Sequence, residues 1–126
     1  GFYYSSYPKP EGSELAAKNE NHQVYFHKIG TSQKDDKLVY EDSKNPQRFH
    51  TVSTTEDEQY AVLYVSDRGK GKDGNGLWFL KKGESKFTSV KEEITDFSYS
   101  LIENLKDGFL IASSISSRRA LKSAII

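Results

Sequence analysis

The sequence predicts an all-β protein built from antiparallel four-stranded blades, forming part of a β-propeller. Three observations predict this class: many short runs rich in aromatic and β-branched residues, turn-forming residues between them at close intervals, and a strand pattern that recurs along the chain. Aromatic residues make up 13% of the 126 residues, although only 35% are hydrophobic. We therefore expect one folded segment with a small core, too short to hold a whole propeller and an enzyme domain.

Nine runs are predicted as strands: residues 2–7, 22–29, 37–41, 49–54, 59–66, 77–82, 86–90, 94–101 and 109–113. Turn formers separate them, such as Asn45-Pro46, the glycine-rich stretch 69–76 and Asp107-Gly108. Only residues 13–20 have a helical pattern, and this segment is too short to be stable alone. Many short strands with short connections are typical of antiparallel sheets.

A polar turn followed by an aromatic and then small or apolar residues occurs three times, at residues 1–6, 58–63 and 107–112, and a second run follows each copy at residues 23–26, 76–79 and 120–123. Tyr60 and Phe109 are 49 positions apart, and Val24 and Leu77 are 53 positions apart. Propeller blades recur about every 40–50 residues. We expect residues 1–126 to hold one complete blade and parts of two neighbours, cut from a larger protein at both ends.

The composition argues against several classes of partner. The 18 Lys and Arg residues balance the 18 Asp and Glu residues, whereas nucleic-acid binding requires a basic surface. No apolar run approaches the roughly 20 residues of a membrane helix. Cysteine is absent, which excludes disulfides and cysteine-ligated zinc. We expect no nucleic-acid partner, no membrane and no cofactor.

Sequence motifs for catalysis and metal binding are also missing. No Gly-x-Ser-x-Gly turn is present, so we expect no catalytic residue. His22 and His27 are five positions apart on one predicted strand, which directs them to opposite faces, and His50 is isolated in sequence. We interpret all three as surface or half-buried residues and expect no metal. The stretch 69–76 lacks the Lys-Ser/Thr pair of a phosphate-binding loop and predicts a mobile hairpin loop within one blade.

Several stretches closely resemble prolyl oligopeptidases: residues 1–7 (GFYYSSY), 21–31 (NHQVYFHKIGT), 33–41 (QKDDKLVYE), the Asn45-Pro46 turn and residues 55–60 (TEDEQY). The resemblance extends from residue 1 to about residue 79 and weakens towards residue 126. It implies a parent protein in which a seven-bladed propeller caps an α/β-hydrolase domain. That domain carries a Ser-Asp-His triad, which cleaves short peptides after proline in the cytoplasm or the periplasm.

The resemblance therefore implies two partners, the parent's catalytic domain and short proline-containing peptides, and assigns none of the triad residues to this chain. The propeller of this family limits access to the active site and lines part of the outer substrate pocket. The match places Phe49 where the family has an apolar side chain facing substrate, and Ser66, Asp67 and Arg68 where it has further contacts. The family often has a basic residue in place of Ser66. Phe49 as ordinary blade core is the alternative.

Two other functions fit an all-β chain. One is an independent β-sandwich module that binds carbohydrate or protein through exposed aromatic residues. The other is a protein-interaction propeller, but the Trp-Asp and Gly-His pairs expected of that repeat are missing. Cut blades leave unpaired edge strands, whereas an independent module does not. Because such edges pair with other chains, we expect the isolated chain to self-associate through them.

Overall fold

The computed structural model describes residues 1–8, 20–69, 71–115 and 120–125. Within these ranges every strand pairing is antiparallel, so the all-β prediction is confirmed. The strands are β1 (Phe2–Ser6), β2 (Gln23–His27), β3 (Lys37–Tyr40), β4 (Arg48–Thr54), β5 (Tyr60–Asp67), β6 (Gly76–Lys81), β7 (Thr88–Lys91), β8 (Phe97–Leu105), β9 (Gly108–Ile115) and β10 (Ala120–Ile125). One short 3-10 helix, Gln33–Asp35, precedes β3 and was not predicted.

The strands form three sheets in chain order. The first sheet has the order β1-β2-β3, the second β4-β5-β6-β7 and the third β10-β9-β8. The recurring sequence runs occupy equivalent strands, because the first run forms β1, β5 and β9 and the second forms β2, β6 and β10. Three sheets in series differ from the two sheets of the β-sandwich alternative.

The second sheet is buried on both faces, and β5 shows this most clearly. Its side chains alternate between the faces, as they must in a strand. Leu63 and Val65 contribute to one apolar cluster together with Val24 of the first sheet. Val62 contributes to the other cluster together with Phe109 of the third sheet. Each sheet therefore covers an apolar face of its neighbour.

Aromatic residues fill the space around these clusters. Trp78 packs against the cluster shared with the first sheet, and Phe79 packs against the one shared with the third. The ring of Phe109 lies 4.9 Å from that of Tyr60 and 5.1 Å from that of Phe79. These contacts are edge-on or tilted, as aromatic pairs prefer. Trp78 and Phe79 therefore pack between neighbouring sheets.

The predicted boundaries differ from the structure most at β8, and β10 was not among the nine predicted strands. Ile94 was predicted to begin a strand, but β8 begins at Phe97 and Ile94 is buried in the connection before it, in the cluster of the first and second sheets. β8 continues beyond the predicted end at Leu101, to Leu105, across a shift in register between Leu101 and Glu103. Residues 13–19 of the predicted helical segment lie outside the described residues. Among the described residues, no helix has the length and apolar character needed to cross a membrane.

The end of the glycine-rich stretch is fixed to the third sheet. The amide of Gly74 donates to the carbonyl of Thr95 at 2.8 Å, and the amide of Asn75 donates to that of Phe97 at 3.1 Å. The Asn75 side chain continues this pattern, because its Nδ2 donates to Tyr99 O at 3.0 Å and its Oδ1 accepts from Tyr99 N at 2.9 Å. The stretch does join two strands of one sheet, β5 and β6, but residues 74–75 are held rather than mobile.

We expect Asn75→Ala to lower the free energy of unfolding by about 1–3 kcal/mol, because the backbone amide and carbonyl of partly buried Tyr99 lose the hydrogen bonds to this side chain. Urea denaturation followed by the fluorescence of Trp78, the only tryptophan, measures the change. Asp73→Ala is the control, since Asp73 is exposed in the same loop and its loss is expected to change stability by less than about 0.5 kcal/mol. Equal stability of the two variants would contradict the prediction.

Candidate functional site

The pairing of β4 with β5 brings the four residues predicted as substrate contacts to one end of the second sheet. Phe49 lies opposite Ser66, and Arg48 lies opposite Asp67, in a ladder without a register shift. Arg68 follows directly after β5. Phe49, Ser66, Asp67 and Arg68, which are separated by up to 19 positions in sequence, therefore lie together where the two strands meet the loops.

Phe49 is half-buried, and cationic and aromatic groups surround it. The guanidinium carbon of Arg68 lies 4.3 Å from the centre of the Phe49 ring, within the range of a cation–π interaction. Two rings from the first sheet and its connections contact Phe49 edge-on: His22 at 5.6 Å and Tyr7 at 6.5 Å between ring centres. Tyr7 and His22 are themselves 4.7 Å apart. Phe49 belongs to neither apolar cluster of the core.

Charged groups next to Phe49 are held in place by hydrogen bonds. Asp67 is buried and accepts hydrogen bonds from Arg48 Nε at 3.2 Å and from the amide of Gly69 at 2.8 Å. Arg48 also forms an ion pair with Asp42, with Nη1 and Oδ2 3.4 Å apart. Asp67 therefore acts as a structural support for the start of the 69–76 loop, which begins directly after Arg68.

Two histidines join the first sheet to the second. His22 precedes β2, and His50 lies in β4; they are 9% and 1% exposed, so the prediction of surface or half-buried residues was wrong for both. The amide of His50 donates to His22 Nδ1 at 2.8 Å. In return, His50 Nδ1 lies 2.9 Å from the carbonyl oxygen of His22. The rings are nearly parallel, with centres 6.0 Å apart.

Burial lowers the pKa of both histidines below the ordinary value, because a buried imidazolium loses its hydration. The guanidinium of Arg68 lowers the pKa of His22 further. At His50, the hydrogen bond to the His22 carbonyl opposes this shift without reversing it. His50 Nε2 is buried and has no hydrogen-bond partner among the described residues. We conclude that the folded chain favours neutral rings at both positions.

His27 belongs to a different part of the first sheet. Its Nδ1 lies 2.6 Å from Asp36 Oδ1, and the hydroxyl of Tyr4 donates to Asp36 Oδ2 at 2.6 Å. Burial raises the pKa of the Asp36 carboxyl, but the hydrogen bonds from Tyr4 and His27 outweigh that effect and lower it. His22 and His27 therefore have separate partners. No three potential metal ligands come together in the described part of the chain.

Among the described residues no histidine hydrogen-bonds to a serine hydroxyl; the Ser5 hydroxyl, for example, donates to the carbonyl of His50 at 2.6 Å. A groove of about 720 Å³ lies elsewhere. It is lined by residues of β1 and by the last residues of β4 and β6, including Ser53, Thr54 and Lys81. None of the four predicted residues lines it. The site around Phe49 is separate from this groove, and the guanidinium of Arg68 and the rings of Tyr7 and His22 fix the orientation of the Phe49 ring.

Comparison with known proteins identifies relatives that match most or part of the chain. The sequence family described as "Prolyl oligopeptidase, N-terminal beta-propeller domain" matches residues 1–122. A prolyl endopeptidase from Elizabethkingia meningoseptica is 42% identical over 74 residues, which cover 58% of this chain and 10% of the relative. Prolyl oligopeptidase A from Amanita bisporigera is 31% identical over 121 residues, which cover 88% of this chain and 15% of the relative. The chain thus spans roughly a tenth to a seventh of these proteins' lengths.

Solved structures agree with these relatives. Prolyl oligopeptidase B from Galerina marginata, in its apo form, matches with a TM-score of 0.76 and 28% identity, over 98% of this chain and 16% of that one. The same protein bound to a 35mer hydrolysis and macrocyclization substrate matches with a TM-score of 0.75 and 25% identity, over 99% and 19%. The β-propeller class predicted from the sequence is therefore confirmed.

We expect Asp67→Ala to destabilise the chain by about 2–4 kcal/mol, because it leaves the guanidinium of Arg48 partly buried with Asp42 as its remaining described partner and removes the acceptor of the Gly69 amide. The measurement is urea denaturation. Asp35→Ala is the matched control, since Asp35 is exposed and is expected to change stability by less than about 0.5 kcal/mol. A loss below about 1 kcal/mol for Asp67→Ala would argue against this supporting role.

Proposed function

Because this chain belongs to the prolyl oligopeptidase family, as part of the N-terminal β-propeller domain, we propose that it is a non-catalytic propeller segment of a proline-specific serine peptidase. In that protein it restricts the access of large peptides and lines part of the outer substrate pocket. The observation that carries this proposal is the site around Phe49, where an aromatic ring and a guanidinium meet without any histidine–serine pair among the described residues.

We further propose that the four-stranded second sheet is one complete blade and that the first and third sheets are parts of the two neighbouring blades. Equivalent strands support this assignment: β1 and β2 correspond to β5 and β6, and β9 and β10 correspond to the same pair. On this basis the first sheet corresponds to the last three strands of a blade and the third sheet to the first three. Blade cores lie between neighbours, which is how repeat folds bury their apolar faces.

The partner of the segment is the catalytic domain of the same polypeptide. The names of its relatives support this, since they are prolyl oligopeptidases, prolyl endopeptidases and a dual-function macrocyclase-peptidase. The present chain covers only 10–15% of those relatives, which leaves ample length for a hydrolase domain elsewhere. Short proline-containing peptides are the substrates, with Phe49 contacting an apolar side chain and Ser66, Asp67 and Arg68 forming the wall beside it.

The experiment is Phe49→Ala in the longer peptidase that contains this segment. We expect kcat/KM for a short peptide with an apolar residue before the proline to fall roughly 5- to 50-fold, mainly through a higher KM, because an apolar contact is lost in the bound substrate and in the transition state alike. Phe97→Ala is the matched control, since Phe97 is 42% exposed on the third sheet, and it is expected to leave kcat/KM unchanged.

Two outcomes would contradict the proposal. One is an unchanged kcat/KM for Phe49→Ala in a folded enzyme, which would remove Phe49 from the substrate pocket. The other concerns the 126-residue chain by itself, which is expected to give no turnover of a proline-containing chromogenic peptide. Turnover that a serine-directed inhibitor abolishes would show that the segment is catalytic.

We also expect the isolated chain to self-associate through edge strands, because β1 lies at the edge of a sheet that has one strand fewer than its neighbour. Phe2→Lys places a charge on this edge and should shift the chain towards monomer in light scattering at high concentration. Ile29→Lys is the control, because Ile29 is 74% exposed in a turn rather than on a strand. A monodisperse monomer for the unmodified chain would contradict the expectation.

A further inference from the structure

The two hydrogen bonds between His22 and His50 determine whether Nδ1 carries a proton in each ring. The amide of His50 can only donate, so His22 Nδ1 must be an unprotonated acceptor and the proton of that ring sits on Nε2. The carbonyl of His22 can only accept, so His50 Nδ1 must carry the proton. Its Nε2 is buried and has no described partner, so a proton there would have no acceptor. His22 is therefore neutral in this arrangement, and the neutral form of His50 is the opposite tautomer.

A proton on His22 Nδ1 is incompatible with this arrangement. It would place an N–H group 2.8 Å from the His50 amide, with two donors facing each other and no acceptor between them. A proton on His50 Nε2 would create a buried cation whose Nε2–H group has no described acceptor. Protonation of either ring therefore destabilises the contact between the two sheets. At His22 it removes a hydrogen-bond acceptor, and at His50 it buries a donor without an acceptor.

The groups around the two rings do not compensate for an added charge at His22. The positive charge of Arg68 opposes a positive charge on His22, and the neutral rings of Tyr7 and Phe49 contact the His22 ring. Around His50, the ring of Tyr40 lies 5.1 Å away, while Asp42 favours and Arg48 opposes a positive charge there. These groups come from the connection after β1, from β3, the β3–β4 connection and β4, and from the residue after β5.

We propose that His22 and His50 form an acid-sensitive latch between the first and second sheets, which holds while both rings are neutral and releases when His22 takes up a proton at Nδ1. We call this pair the histidine latch. Two neighbouring hydrogen bonds do not depend on histidine ionisation, from Ser5 Oγ to the His50 carbonyl and from the Asn21 amide to the Pro46 carbonyl. Release therefore loosens one end of the junction.

The expected pH window follows from proton linkage. Both histidines have a folded-state pKa below the unfolded value, so their contribution to stability is complete above the ordinary histidine pKa of about 6.5 and is lost as the pH falls below it. Each proton taken up on opening multiplies the opening constant by about ten per pH unit, and two protons multiply it by about a hundred. The proposal does not depend on peptide binding at Phe49.

The experiment measures the unfolding equilibrium of the 126-residue chain in urea between about pH 7.5 and pH 5, with Trp78 as the probe because it packs against the cluster beside this junction. In His22→Asn, the side-chain oxygen can replace Nδ1 as acceptor but cannot be protonated in this range. We expect this variant to keep most of its stability at pH 7.5. Below about pH 6.5, its unfolding constant should rise about tenfold less per pH unit than that of the unmodified chain, because one proton fewer is taken up on unfolding. Thr51→Ala is the control, because Thr51 is exposed next to His50 in β4 and has no titratable group, and this variant should retain the slope.

A second measurement on the unmodified chain covers the case in which His22→Asn does not fold. The 15N chemical shifts of the imidazole rings at pH 7.5 should show the Nε2–H tautomer at His22 and the Nδ1–H tautomer at His50. Hydrogen exchange at the His50 amide should accelerate below about pH 6.5, after correction for intrinsic exchange. Opposite tautomers, a charged His22 at pH 7.5, or an acid slope unchanged in a folded His22→Asn chain would each overturn the proposal.

Discussion

The structure depends on the second sheet having both faces covered. An antiparallel sheet usually leaves one face to water, but here β5 is apolar on both sides, with Leu63 and Val65 towards the first sheet and Val62 towards the third. These three side chains are almost completely buried, and so is Val24 of the first sheet, which packs against Leu63 and Val65. Neither outer sheet can therefore move away without exposing an apolar face, and this constraint determines where the remaining polar groups must lie.

Those polar groups lie at the ends of the strands, where the junctions between sheets meet the loops. At the third sheet, Asn75 copies the hydrogen bonding of a strand, and Gly74 comes so close to the backbone that a Cβ atom would lie 1.9 Å from the carbonyl oxygen of Phe97. At the first sheet, His22 and His50 also connect two sheets, because each ring hydrogen-bonds to the backbone of the other residue. The site around Phe49 lies against the junction between the first and second sheets. Its geometry therefore depends on two sheets rather than one.

Much of this architecture could be predicted from the sequence, because strand content follows from local residue types. The repeat from Tyr60 to Phe109 corresponds to β5 and β9, and the residues that the resemblance grouped lie in β4, in β5 and directly after β5, with Phe49 opposite Ser66. Ile94 was misassigned because an apolar residue next to a strand has the same local pattern whether it extends the strand or fills the core beside it.

Contacts between sheets could not be predicted in this way. Tyr7 and His22 approach Phe49 only because the first sheet packs against the second, and nothing in the spacing of these residues indicates it. The burial of His50 is a similar case. It occupies an inward position of β4 that a strand pattern does permit, but a lone histidine gives no indication that its ring will hydrogen-bond to a backbone carbonyl 28 positions away. The roles of such polar residues emerge only from the packing.

The two junctions respond differently to acid for a physical reason. The junction with the third sheet includes Asn75, which does not titrate, and Asp57, whose side chain accepts a hydrogen bond from Asn104. The Thr55 hydroxyl, and then the Gln59 amide and Asn104, lower the pKa of Asp57, so its carboxylate remains ionised throughout the range in which histidines titrate. The junction with the first sheet instead contains two imidazoles that must stay neutral. Mild acid therefore acts selectively on the junction that carries the ring of Phe49.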